Sequence, residues 1–144
     1  MRGDEAMVIE REVRVAARPE TVFAYFTDPD RYVTWKGQRA ELDPRPGGLF
    51  RVVFENQDVA RGEFVELEPH RRLVFTWGWE AEGHPIPPGS SEVEVTLVPD
   101  GDGTLVRLVH RGLPGEAVPQ HAEGWDLFLP RLVEAVSTPS KKVS

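Results

Sequence analysis

Gly62-x-Phe64-x-Glu66-x-x-Pro69, followed after His70-Arg71 by Arg72-Leu73-Val74-Phe75-Thr76-Trp77-Gly78-Trp79, is the stretch on which the fold turns. Side chains alternate between the two faces of an extended strand. Leu73, Phe75, Trp77 and Trp79 therefore share one face, and Arg72, Val74 and Thr76 the other. Two indoles and a phenyl ring in one row are more than a flat, half-buried sheet needs. The row predicts a sheet that curves around something large and apolar, either a packed helix or a ligand.

Working outward, the chain reads as strands punctuated by turns. Upstream, Phe50, Val52 and Phe54 alternate with Arg51, Val53 and Glu55 after the turn cluster Asp43-Pro44-Arg45-Pro46-Gly47-Gly48. A short strand at 38–42 precedes that cluster, and 59–67 forms a strand whose inward face stays ambiguous, because both registers carry apolar and acidic residues. Downstream, 80–89 is a Pro- and Gly-rich loop. Val93, Val95 and Leu97 then alternate with Glu92, Glu94 and Thr96, and Pro99-Asp100-Gly101-Asp102-Gly103 is a hairpin turn. Val106, Leu108 and His110 fall on one face of the strand that follows. Short turns between closely spaced strands imply an antiparallel meander.

The two ends complete the pattern. Residues 8–15 alternate as a first strand. Pro19 opens a short helix with Val22, Phe23 and Phe26 on one side, and Asp28-Pro29 is an N-cap followed by a first-turn proline, opening a brief helix that reaches about Trp35. At the other end Trp125, Phe128, Leu129, Leu132, Val133 and Val136 recur at intervals of three and four, one apolar helical stripe with His121 leaning toward it. Pro130 lies inside this helix and removes one backbone bond.

Composition bounds the function. A chain of 144 residues fits one domain, spanning residues 8–137 with flexible tails at 1–7 and 138–144. There is no cysteine, hence no disulfide, thiolate metal site or cysteine nucleophile. The net charge of −7 argues against nucleic acid as a partner. No signal-peptide core and no membrane-spanning run is present, and the cysteine-free composition fits a cytoplasmic protein.

The order strand, two short helices, six strands, long helix carries a resemblance. Pro19-Glu20-x-Val22-Phe23, Trp35, Asp43-x-Arg45-x-Gly47-Gly48, the stretch from Gly62 to Trp77, Gly103-Thr104, Leu108-x-His110-x-Gly112 and Gly124-Trp125 stand in the order seen in the activator-of-heat-shock-protein-ATPase-homologue group. That group is part of the START-like, Bet v 1-like (SRPBCC) superfamily. The chain resembles it from about residue 10 to 136. The resemblance implies an α+β helix-grip fold, in which a curved antiparallel sheet wraps a long C-terminal helix and leaves a cavity. Its members include carriers of hydrophobic molecules, polyketide-type aromatic cyclases, hydrolase-like proteins and chaperone partners, so the fold does not fix the function.

The expected function is binding of a small hydrophobic molecule in that cavity. Its lining is expected to come from Phe50, Val52 and Phe54, from Phe75, Trp77 and Trp79, and from Val93, Val95, Leu108 and His110 of the sheet. The helix is expected to add His121, Trp125, Phe128 and Leu129. Trp35 is expected to seal the mouth, flanked by the loops 80–89 and 113–119. Glu63, Glu66, Glu68 and Asp126 are the carboxylates nearest the inferred walls, and they read as solvent-side residues. No metal, cofactor or catalytic residue is expected, since neither His-x-x-x-His nor a nucleophile elbow occurs. The alternatives are a cyclase- or hydrolase-like enzyme using His110 or His121 as acid/base, and a chaperone-associated interaction module. A homodimer and a chaperone contact both stay open.

Overall fold

Alternation and turn chemistry are realised as a single antiparallel sheet in the computed structural model, which describes residues 8–137. The tails expected at 1–7 and 138–144 lie outside the described residues. The elements are β1 (Val8–Val15), α1 (Pro19–Thr27), α2 (Pro29–Tyr32), β2 (Arg39–Leu42), β3 (Leu49–Val53), β4 (Val59–Glu68), β5 (Arg72–Trp77), β6 (Ser91–Asp100) and β7 (Gly103–Arg111). A 3-10 turn (Gly115–Ala117) leads into α3 (Val118–Ser137). The seven strands run in the order β1-β7-β6-β5-β4-β3-β2, every neighbouring pair antiparallel. β1 closes on β7 with Val8 opposite Arg111 and Val15 opposite Thr104.

Local chemistry accounts for the helical starts. The Asp28 carboxylate accepts the Asp30 N–H at 3.0 Å, and Pro29 occupies the first turn of α2, where its missing N–H is no loss. α3 lays Trp125, Leu129, Leu132 and Val136, all buried, onto the sheet. It also packs against α1 and β1, where Arg11 reaches Asp126 at 2.7 Å.

The ambiguity of β4 has a physical cause. Phe64 pairs with Phe75, but Glu66 pairs with Val74, so Val65 is an extra residue in the ladder. A bulge of this kind changes the parity of a strand. Ala60 and Phe64 point inward before it, and Leu67 does so after it, opposite the buried Leu73. Gly62 sits just ahead of the bulge, where a Cβ would lie 2.0 Å from the Thr76 carbonyl oxygen. Only glycine permits that approach, and the Thr76 hydroxyl accepts the Glu63 N–H at 2.9 Å there.

The outer face of the sheet carries an ion-pair lattice. Arg72 bonds Glu94 at 2.8 Å and also Glu66, while Arg111 bonds Glu94 at 3.0 Å and Glu92 at 2.9 Å. Hydrogen bonds from Arg72 and then Arg111 hold the Glu94 carboxyl below its ordinary pKa.

Candidate functional site

An open cleft of about 1220 Å³ lies between one end of the sheet and the first half of α3. Its walls come from the segment after α2 (33–37), the β3–β4 turn (54–59), the end of β5 with the loop beyond it (77–84), and 120–131 of α3. All four tryptophans of the chain line it, joined by Phe54 and Phe128. Small-molecule sites usually enclose roughly 300–1,000 Å³, so this cleft is wide enough for a polycyclic molecule.

Each aromatic wall is held in place by a polar or packing contact. The Trp35 indole donates to the Tyr25 carbonyl at 3.0 Å and packs on Phe26 and Tyr32. It is a buried wall of the cleft, not the seal at its mouth that the sequence suggested, because this bond draws the ring back onto α1. Trp79 lies beyond the end of β5, tied by an isolated bridge to Ala60, and is half-buried beside Phe54. Its backbone N–H bonds the Ile86 carbonyl at 2.8 Å, which folds the loop 80–89 against the cleft. Glu80, Ala81 and His84 of that loop do flank the opening.

The least expected residue of the cleft is Lys36. It is only 3 % exposed, and its Nζ stands 3.7 Å from the Trp125 ring centroid, 4.2 Å from that of Trp77 and 5.6 Å from that of Phe128. None of the ion pairs or side-chain hydrogen bonds among the described residues involves this amine. The backbone fixes where the residue sits. The Trp35 and Lys36 N–H groups both bond the Tyr32 carbonyl, Gly37 turns the chain at φ +86°, and the Gln38 N–H bonds Val53 at 2.7 Å. A Cβ on Gly37 would meet Val52 Cγ1 at 2.4 Å. Lys36, just ahead of this turn, enters the aromatic cage. Burial disfavours its charged form and holds its pKa well below the ordinary lysine value. The cation–π contacts oppose that shift, at about 2 kcal/mol for a desolvated ammonium. The missing carboxylate decides the balance in favour of burial.

The two histidines are brought close, with ring centroids 5.6 Å apart, and each is fully engaged. Trp125 Nε1–H donates to His110 Nδ1 at 3.1 Å, which leaves the His110 proton on Nε2. Nε2–H therefore donates to Ser91 Oγ at 2.9 Å, and the Ser91 hydroxyl donates to the Trp77 carbonyl at 2.8 Å. His121 takes the opposite tautomer. Trp79 Nε1–H donates to its Nε2 at 3.2 Å, and its Nδ1–H donates to the Ala117 carbonyl at 2.9 Å. Desolvation, helped by the positive potential of His121 and Lys36, pushes His110 down to about 3. Burial also lowers His121, against the raising effect of the Ala117 bond. Both rings are neutral connectors with no free lone pair.

Six of the fourteen expected lining residues meet at the cleft: Phe54, Trp77, Trp79, His121, Trp125 and Phe128. The other eight belong to the packed interior. Phe50 stacks on Phe75 at 4.1 Å, and Val52, Val93, Val95, Leu108 and Leu129 fill the space between sheet and α3. His110 is fully buried beneath Trp125. The loop 113–119 does not flank the opening, because Leu113 and Ala117 are drawn into the core. Glu63, Glu66, Glu68 and Asp126 stand on exposed positions outside the cleft. No group of three metal-ligating side chains occurs among the described residues. No helix there is long and apolar enough to cross a membrane. The Trp77 Nε1–H is buried without an acceptor, as is the Tyr32 hydroxyl.

A family model described as "Activator of Hsp90 ATPase homolog 1-like protein" matches residues 16–137. The chain belongs to this family. Solved structures agree with the assignment. An AHSA1-like protein from Rhizobium etli is 43 % identical, with a TM-score of 0.70 over 91 % of this chain and 82 % of that one. CalU16 from Micromonospora echinospora is 31 % identical, with a TM-score of 0.75 over 94 % and 80 %. DynU16, a putative protein in the dynemicin biosynthetic locus, is 28 % identical, with a TM-score of 0.79 over 92 % of this chain. The chain spans 48 % of DynU16, about half its length. No curated protein matches the chain. Like these AHSA1-like relatives, the chain has the curved antiparallel sheet and long C-terminal helix of the SRPBCC superfamily.

Proposed function

We propose that this protein binds a small, largely apolar molecule in the cleft between β5, the β3–β4 turn and α3. The observation that carries this reading is the convergence of six aromatic side chains from four separate segments on one open space. Burial of apolar ligand surface there supplies about 25 cal/mol per Å². An acid/base enzyme using His110 or His121 finds less support, since both rings spend their nitrogens on tryptophan indoles and on Ser91 or Ala117. A chaperone module would be favoured by a contiguous apolar patch. Among the described residues the large exposed hydrophobics Val8, Leu49, Val65 and Leu127 are divided among β1, β3, β4 and α3. DynU16, a member of the same fold from a biosynthetic locus, supports a small-molecule role.

Intrinsic fluorescence tests the proposal directly, because every tryptophan lines the cleft. Titration with 1-pyrenemethanol is expected to quench tryptophan emission saturably. At 100 times its dissociation constant the same probe should add about 2.7 kcal/mol of stability. Trp79→Ala should weaken the probe and also cost about 1–3 kcal/mol of stability, because it orphans His121 Nε2. Absence of saturable quenching by this and a panel of other polycyclic and long-chain probes would refute the reading.

A further inference from the structure

We propose that Lys36 is a nucleophilic amine that captures the carbonyl group of an apolar aldehyde or ketone as an imine. This rests on the cleft being a ligand site and assigns the ligand a chemical class.

Two observations converge on it. The first is position: Lys36 lines the cleft yet is 3 % exposed, with its amine held between the faces of Trp125 and Trp77 and partnered by no carboxylate. Desolvation eases loss of the ammonium proton and so favours the nucleophilic amine. The second is residue choice. Only three of the 17 basic residues are lysines, and Lys141 and Lys142 lie in the C-terminal segment. Arginine makes the surface ion pairs, as at Arg11–Asp126, Arg51–Glu80 and Arg72–Glu94. A guanidinium serves anion recognition better but cannot give up its proton to become a nucleophile.

The step balances without an added reagent. The Nζ lone pair adds to the carbonyl carbon, and the carbon–oxygen π pair moves onto oxygen. Oxygen takes a proton released by nitrogen, giving a carbinolamine. The second nitrogen hydrogen and the hydroxyl then leave as one water while the nitrogen pair closes the C=N bond. No oxidation state changes. A protonated imine would place its delocalised cation between two indole faces, where ring quadrupoles favour it. His110 and His121 are saturated, so water carries the protons.

The test uses the full chain with 1-pyrenecarboxaldehyde, reduced with sodium borohydride and analysed by intact mass and peptide mapping. 1-Pyrenemethanol, which cannot form an imine, reports on the cleft alone. We expect one pyrenylmethyl group per chain, mapped to Lys36, and none on Lys36→Met or Lys36→Arg. Both variants should keep the far-ultraviolet circular dichroism spectrum and the cooperative unfolding of wild type, which shows that they fold. Labelling confined to Lys141, Lys142 or the amino terminus would overturn the inference. So would no labelling while the alcohol binds, and that result leaves the cleft reading standing. Failure of both probes would overturn the two readings together.

Discussion

Replacing Trp125 by Phe isolates the polar chain that joins α3 to the sheet. The substitution keeps an aromatic ring in place but removes the Nε1–H that satisfies His110 Nδ1 at 3.1 Å. The smaller ring forfeits about 1–2 kcal/mol of apolar burial. The orphaned acceptor, fully buried, adds about 1–3 kcal/mol. His110→Leu orphans the indole donor instead, at a similar cost of about 1–3 kcal/mol. The double variant loses donor and acceptor together. Its destabilisation should therefore fall short of the sum of the singles by about 1–3 kcal/mol. Urea unfolding followed by far-ultraviolet circular dichroism measures all three changes without relying on the altered tryptophan. Additivity within about 0.5 kcal/mol would refute the bond, and with it the assignment of the His110 proton to Nε2.

Three further outcomes follow from buried groups. His110 titrates at about 3 when folded and near 6.5 when unfolded, so the unfolded chain binds its proton first as pH falls. Wild-type stability should drop between pH 6.5 and 3, by roughly 4–5 kcal/mol from this group alone, and the pH dependence of His110→Gln should be correspondingly flatter in chemical denaturation. Lys36 has a folded pKa below its unfolded one, through burial first, so wild type should gain stability relative to Lys36→Met as pH rises from 7 toward 10. The groups facing it, His110 and His121, are neutral over that range; at pH 7 the Met variant should be more stable than wild type, and a less stable Met variant would refute the unfavourable burial of the ammonium. Tyr32→Phe removes a buried hydroxyl with no partner and should raise the melting temperature or leave it unchanged; a fall above about 1 kcal/mol would mean the hydroxyl has a partner.

Strand spacing, the Asp28 cap and the apolar stripe of α3 were legible because each depends on residues close in sequence. The resemblance then supplied the helix-grip arrangement. β4 stayed ambiguous because a bulge at Val65 breaks the two-residue period from which faces are read. Alternation also assigns a face without a depth. Phe50 and Trp77 share the inner face of the sheet, yet only Trp77 reaches the cleft. Lys36 was missed for a different reason. A lone lysine in a turn reads as solvated, and its burial depends on Trp77 and Trp125, which lie far along the chain. The scarcity of lysine in an arginine-rich chain was the one trace of it in the sequence.

The order of strands also sets a timetable for synthesis. β2 through β7 pair with neighbours in the order they emerge, but β1 must wait for β7, with Val8 meeting Arg111. α3, which covers the inner face, comes later still. From the synthesis of Trp77 to that of Val136, roughly 3–12 s elapse at ~5–20 residues per second. During that interval the nascent chain displays the aromatic row of β5 with nothing to cover it. Truncation before α3 should leave a ribosome-bound chain that captures trigger-type holdases, and completion of the helix should release it.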